Sequence, residues 1–179
     1  MNDWTSEVAQ VLRAAGWAPG RWVVTGRWRS VFEPFGLALH DAAEGFLREF
    51  GGLTVNVDGP GITCARTPFE LDPEPACGEE DRFLQWGESL GRSLFPLGEL
   101  DHGRFFLAID EVAEIYLVET WLARFGPAPQ ALENLVLGVA PRRIDAGEDL
   151  PGGHLFAPRW GWAALDRSLS GERGSSGGR

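Results

Sequence analysis

Apolar residues recur at the three- and four-residue spacing of an α-helix in four parts of the chain. This periodicity predicts helices with one buried side, ended by glycine or proline. In the second of these segments, Asp41 and Glu44 have the spacing of a capping box with Asp41 as the cap, and Pro141 is expected to end the last. The predicted helices cover residues 3–15, 41–50, 79–90 and 129–139.

Other segments have the alternation and the β-branched or aromatic composition of strands. The turn signal DGPG at residues 58–61 predicts a hairpin between the segments on either side of it. A second hairpin is predicted around a four-residue connection at 110–113, and residues 68–78, with three prolines, are predicted to be a loop. The predicted strands are residues 21–28, 53–57, 62–67, 104–109 and 114–118.

Helices and antiparallel strand pairs in this order predict a single α+β domain, with a mixed or antiparallel sheet and flanking helices. Glycine, proline and serine become frequent near residue 146. We therefore expect a domain at residues 1–145 and a flexible C-terminal extension at 146–179, whose last ten residues (SGERGSSGGR) are disordered. The extension contains Trp160 and Trp162, and the pattern leaves open whether they pack on the domain or recruit a partner.

A content of 44% hydrophobic residues indicates a folded globular protein. Cys64 and Cys77 form neither a disulfide framework nor the C-x-x-C spacing of a zinc site. The N-terminus has no signal-peptide pattern, and no segment approaches the roughly 20 apolar residues of a membrane span. We expect a cytoplasmic protein with no metal, cofactor or membrane contact. All 16 basic residues are arginine, a bias typical of GC-rich bacterial genomes.

The net charge of −10 lies entirely in residues 1–145, because residues 146–179 hold four acids and four arginines. Such a domain repels nucleic acid and attracts basic partners. The acids of this domain are densest at residues 70–81. The alternative interpretation of that stretch is a solvated loop followed by the start of a helix. The predicted partner-binding acids are Glu70, Asp72, Glu74, Glu79, Glu80 and Asp81, joined by Asp101, Asp110 and Glu111 around the second hairpin.

Residues 87–91 (GESLG) match the G-x-S-x-G nucleophile elbow of α/β-hydrolases, with Ser89 as nucleophile and His102 or His154 as base. That elbow requires a strand-to-helix turn, whereas the preceding residues have a helical pattern. The three histidines also lack metal-ligand spacing. We therefore predict that the protein is not an enzyme, and keep a serine hydrolase as the lesser alternative.

Several short segments occur in a characteristic order: GW, FLREFGGL, TPFELDP, PLGE, FLAIDE followed by IYLV, and ALENLVLG. In order and spacing they resemble the SUKH superfamily of bacterial immunity proteins, most closely its third group, which is widespread in actinobacteria. The resemblance covers roughly residues 5–142. In place of the glycine that relatives tend to have after the IDE turn, this chain has Val112 and Ala113.

The resemblance implies an α+β domain that neutralises a toxin of a polymorphic toxin system by direct binding. Many such toxins are nucleases or other nucleic-acid-targeting enzymes, and the family has no catalytic motif to carry over. The sequence thus predicts an acidic immunity protein that occludes the active site of a basic toxin. A protein-interaction scaffold or regulator is the alternative, and the oligomeric state stays open.

Overall fold

The computed structural model of the protein describes residues 4–144. The helices are α1 (Ser6–Ala14), α2 (Gly26–Phe32), α3 (Asp41–Phe50), α4 (Glu80–Leu90) and α5 (Gln130–Leu137). The strands are β1 (Thr54–Val55), β2 (Phe69–Glu70), β3 (Leu94–Leu100), β4 (Phe105–Asp110), β5 (Glu114–Val118), β6 (Leu122–Pro127) and β7 (Arg142–Arg143). Short 3₁₀ turns lie at Glu33–Phe35 and Glu74–Ala76. The predicted extension, with His154, Trp160 and Trp162, falls outside the described residues.

The seven strands form one antiparallel sheet in which each strand pairs with the next along the chain. This arrangement confirms the predicted α+β domain and shows that the sheet is antiparallel and not mixed. β1, β2 and β7 contribute two residues each, so the centre of the sheet is the longer run from β3 to β6.

The two faces of the sheet are covered differently. Cross-strand partners share a face, so Phe106 and Val118 lie on one face and Leu107 and Leu117 on the other. Helix α4 packs on the Phe106 face, where the Phe83 and Phe106 rings are 5.8 Å apart. Helix α2 packs on the Leu107 face, where Phe32 meets Phe95 edge-on at 5.5 Å.

Helix α3 and the β4–β5 hairpin are where the sequence predicts them. The hairpin connection is shorter than expected because Asp110 belongs to β4, leaving Glu111 to Ala113 as the turn. Ala113 has φ +68°, which is the left-handed conformation that favours glycine. This chain thus forms a turn with a left-handed residue although it carries alanine there.

The prediction of a strand at residues 21–28 is wrong. Residues 26 onward form α2, because Trp28 and Phe32 are spaced to bury one helix face and both are fully buried. The segment before α2 stays extended but pairs with the end of α3. Arg21 donates to the carbonyls of Glu49 (2.8 Å) and Gly51 (2.7 Å), and Val23 N–H donates to Arg48 O. Tertiary contacts therefore override the strand propensity of this segment.

The prediction that residues 62–67 form a strand paired with β1 is also wrong. β1 pairs instead with β2, which lies within the segment 68–78 that was predicted to be a loop. The N–H groups of Ile62, Thr63 and Cys64 donate instead to the carbonyls of Leu137 and Gly138. These are carbonyls that a helix end leaves without intrahelical partners, so the loop caps α5.

Two helix ends differ from the prediction. His40, not Asp41, caps α3, because its Nδ1 accepts from Ala43 N–H at 3.2 Å. Helix α5 ends at Gly138, which has φ +67°, before Pro141 is reached. Strands β3, β6 and β7 were not among the predicted strands.

Candidate functional site

The sheet distributes charge unequally between its two sides. We call α4, the sheet face beneath it and the turns that contact α4 the α4 side. Strand register places Glu70 and Glu99 on that face with Phe106, and Asp110 with Leu94. The acids of the α4 side are Glu70, Glu79, Glu80, Asp81, Glu88, Glu99, Asp110, Glu111, Glu114 and Glu119, and its arginines are Arg82, Arg92, Arg124 and Arg142.

The α4 side therefore has an excess of six acids over arginines, whereas the remaining described residues hold ten acids and eight arginines. A surface with such a one-sided excess produces a local negative potential that attracts positively charged partners. Of the nine acids predicted from sequence, six belong to this side; Asp72, Glu74 and Asp101 do not.

Four carboxylates of the α4 side have no ion-pair or hydrogen-bond partner among residues 4–144. Two of them, Asp81 and Glu88, lie on the exposed face of α4. The other two, Glu70 and Glu99, face each other across β2 and β3. Since no arginine of the described domain neutralises them, these four are the acids most available to a partner.

The Glu70–Glu99 pair lies beside a depression of about 80 Å³ that Thr54, Asn56 and His102 also line. Like charges directly opposite each other destabilise a strand pair. Burial, and then the charge of Glu70, raise the pKa of Glu99 above its ordinary value.

Asp72 and Glu74 hold the 3₁₀ turn at Glu74–Ala76 against α2. Asp72 Oδ1 accepts from Trp28 Nε1–H (2.9 Å) and from Glu74 N–H (3.1 Å). Arg27 pairs with Asp72 (3.4 Å) and with Glu74 (3.5 Å). The charge of this predicted stretch is thus partly neutralised, and Asp72 has a structural role.

The other predicted acids are engaged locally. Glu79 pairs with Arg82 (2.8 Å), and Asp101 with Arg104 (3.5 Å). Glu80 accepts from Gly78 N–H (2.9 Å) at the start of α4. Glu111 accepts from Ser93 N–H (2.7 Å) and lies 3.9 Å from Arg92. All four are at least partly exposed, so a partner can contact them only in competition with these bonds.

Asp110 does not belong to the partner-binding surface for which it was predicted, because it is only 1% exposed. Its Oδ1 accepts from Val112 N–H (3.0 Å) and Glu114 N–H (2.8 Å), and its Oδ2 accepts from Tyr116 Oη–H (3.0 Å). Burial, followed by the Asp110 charge, raises the pKa of Tyr116, so its hydroxyl remains a donor. Asp110 stabilises the hairpin and presents no carboxylate to a partner.

Sequence reasoning missed Glu88 and Glu99. Glu88 lies on the exposed face of α4, which consists of residues 81, 84, 85 and 88 at helical spacing. This periodicity is sufficient to predict that Glu88 is exposed. Glu99 follows Pro96 and Gly98, which argue against a strand, and its pairing with Glu70 depends on the register of β2 with β3.

Ser89 does not lie on a strand-to-helix turn. It belongs to the last turn of α4, where its hydroxyl donates to the carbonyl of Gln85 at 2.9 Å. This position does not present a nucleophile as the elbow motif requires. Within residues 4–144, no group of three His, Cys, Asp or Glu side chains is arranged to hold a metal ion, and no helix is both long and apolar enough to span a membrane.

A scan against protein-family models finds one described as SUKH-3 immunity protein, matched by residues 4–138. The match covers α1 to α5 and all strands except β7. Searches of curated proteins and of solved structures find no match.

Proposed function

The chain belongs to the SUKH-3 immunity protein family, and on that premise we propose that it binds and neutralises a cognate toxin of a bacterial polymorphic toxin system. The family match over residues 4–138 is the observation that carries this proposal. Immunity proteins of this kind generally act by binding and not by catalysis. The position of Ser89 within α4 agrees with such a role.

We propose a nuclease, or another enzyme that acts on nucleic acid, as the toxin. Such an enzyme carries a basic groove for the phosphate backbone. The acid excess of the α4 side is complementary to a groove of this charge. An inhibitor seated there would exclude the nucleic acid and occlude the active site. Electrostatic steering of this kind raises association rates toward about 10⁸–10⁹ M⁻¹s⁻¹ at low salt.

The proposed compartment is the cytoplasm, where a toxin would reach nucleic acid. Both cysteines, Cys64 and Cys77, are free thiols on the surface. Exposed free thiols are typical of a reducing compartment. This supports the cytoplasmic assignment independently of the family.

Co-expression with the toxin domain encoded by the neighbouring gene tests the proposal. We expect cells that produce the toxin to die without this protein and to grow with it, because the complex blocks the toxin. A toxin from an unrelated system serves as the specificity control. Equal killing with and without the protein would contradict the toxin-neutralising role, and the absence of any toxin gene nearby would favour the scaffold alternative.

A further inference from the structure

A groove of about 420 Å³ runs between the Glu33–Phe35 turn and α4. We call it the α4 groove. Its floor is apolar and consists of Leu37, Phe83 and Leu94, which are buried. Gly36, Gly87 and Gly91 also line it. Its volume is within the range of about 300–1,000 Å³ that is usual for ligand sites.

Two large apolar residues face solvent at the α4 groove: Leu84, which lines it, and Phe35, which directly precedes the lining residue Gly36. Phe35 is 61% exposed and Leu84 is 39% exposed. The neighbour of Phe35 in the chain, Gly36, lies against Leu84, since a Cβ placed on Gly36 would be 3.7 Å from the Leu84 side chain. Single exposed apolar residues are ordinary, but an adjacent pair beside a groove is the arrangement expected of an interaction site.

Unpaired acids flank the exposed apolar pair. Asp81 and Glu88 lie three residues before and four residues after Leu84, so all three share one face of α4. Glu88 and Glu111 also line the groove. Arg92 lines it too, but its guanidinium is directed toward Glu111 (3.9 Å) and Asp110 (4.0 Å). The groove is therefore apolar at its floor and negative at its border.

We propose that the α4 groove receives an apolar side chain of the toxin, flanked in the toxin by a lysine or arginine that pairs with Asp81 or Glu88. The proposal rests on the proposed function and names the contact surface for it. Apolar burial in the groove holds the complex together, while the flanking acids align the basic residue. Aromatic or aliphatic anchors in such pockets contribute most of the binding energy of protein interfaces.

The test measures association and dissociation rates with a catalytically inactive form of the toxin domain from the neighbouring gene. Phe35→Gln and Leu84→Gln should each raise the dissociation rate about tenfold or more, because anchors act mainly on dissociation. Ile62→Gln is the matched control: Ile62 is 65% exposed in the loop that caps α5. It should leave both rates unchanged.

A second variant adds a side chain at a residue that lines the groove and removes no contact. Gly91 has φ +64° at the end of α4, a conformation that asparagine tolerates, and a Cβ there meets no atom within 4 Å. Gly91→Asn should therefore fold and weaken binding about tenfold as well. Thermal unfolding of each variant shows that it is folded before its rates are compared.

The outcomes separate the groove from the proposed function. If all three variants keep the wild-type rates and still bind and neutralise the toxin, the α4 groove is not the contact surface, and the proposed function is unaffected. A change in self-association at unchanged toxin affinity would assign the groove to a second copy and would equally overturn this proposal. Failure of the wild-type protein to bind the toxin would overturn both.

Discussion

Asp110 illustrates how little the acidity of a single residue says about its role. It lies in a predicted turn of an acidic chain, yet the hairpin encloses its carboxylate, which accepts hydrogen bonds from three donors. Removing this acceptor leaves the buried Tyr116 hydroxyl without a partner, which costs about 1–3 kcal/mol, and also frees two partly buried N–H groups.

We therefore predict that Asp110→Ala lowers the free energy of unfolding by about 2–4 kcal/mol, as measured by urea denaturation. Asp110→Asn retains one acceptor oxygen and should lose less. The toxin affinity of the protein that remains folded should not change, because the carboxylate is buried. A stable Asp110→Ala protein with weakened binding would instead make Asp110 a contact residue.

Glu99 is the residue for which pH has a predictable effect. Burial and Glu70 raise the pKa of Glu99, so the folded state binds its proton more tightly than the unfolded state does. This carboxyl group therefore favours folding when protonated, and its contribution is lost as pH rises through its raised pKa.

Glu99→Gln should accordingly stabilise the protein at neutral pH by roughly 0.5 kcal/mol, the scale of a cross-strand pair. The difference from wild type should shrink as pH falls below the ordinary pKa of glutamate. Thermal unfolding between acidic and neutral pH measures both effects. A stability gain that is equal at all pH values would show that charge is not its cause.

At the scale of elements, local pattern was sufficient for α3 and for the β4–β5 hairpin, but not for α2. The buried residues of α3 recur at helical spacing, and β4 and β5 are short, mostly buried apolar runs on either side of a turn. β3 was not predictable, since it contains Pro96 and Gly98. Gly98 is required there by the close approach of β2, as a Cβ would overlap the carbonyl oxygen of Glu70. Long-range contacts of this kind, including the pairing of Glu70 with Glu99, leave no local signal in a single sequence.

The loop at residues 59–65 caps the end of α5, a role that only the structure shows. Alanine substitutions of two glycines, one in the loop and one as a control, test this role. A Cβ on Gly61 would lie 2.6 Å from the Cα of Gly138 and 2.7 Å from the carbonyl oxygen of Leu137. Gly61→Ala must therefore push the loop away from the end of α5.

We predict that Gly61→Ala lowers the free energy of unfolding by about 2 kcal/mol or more, the scale of overpacking a tight contact. Gly45→Ala is the matched control, because Gly45 lies within α3 with open space around it. That substitution should stabilise by about 0.5–1 kcal/mol. Urea denaturation that gives the same sign for both variants would contradict the capping role of the loop.

At the scale of the whole molecule, the fold gathers the excess negative charge on one side of the domain. The sequence shows a net charge of −10 and its restriction to residues 1–145, but not which side of the domain carries it. The sheet register and the packing of α4 supply that information, because they gather acids that are far apart in the chain, such as Glu70, Glu88 and Glu99. The α4 side is therefore where we expect a basic toxin to bind.

The most direct test compares stopped-flow association rates with the toxin domain for two variants of equal charge change. One neutralises unpaired acids of the α4 side (Glu70→Gln, Asp81→Asn, Glu88→Gln), and the other neutralises unpaired acids elsewhere (Asp41→Asn, Asp58→Asn, Glu133→Gln). We predict fast, salt-sensitive association for wild type, at least about tenfold slower association at low salt for the first variant, and a much smaller change for the second. Equal rates for both variants, or no complex with the wild-type protein, would contradict the account.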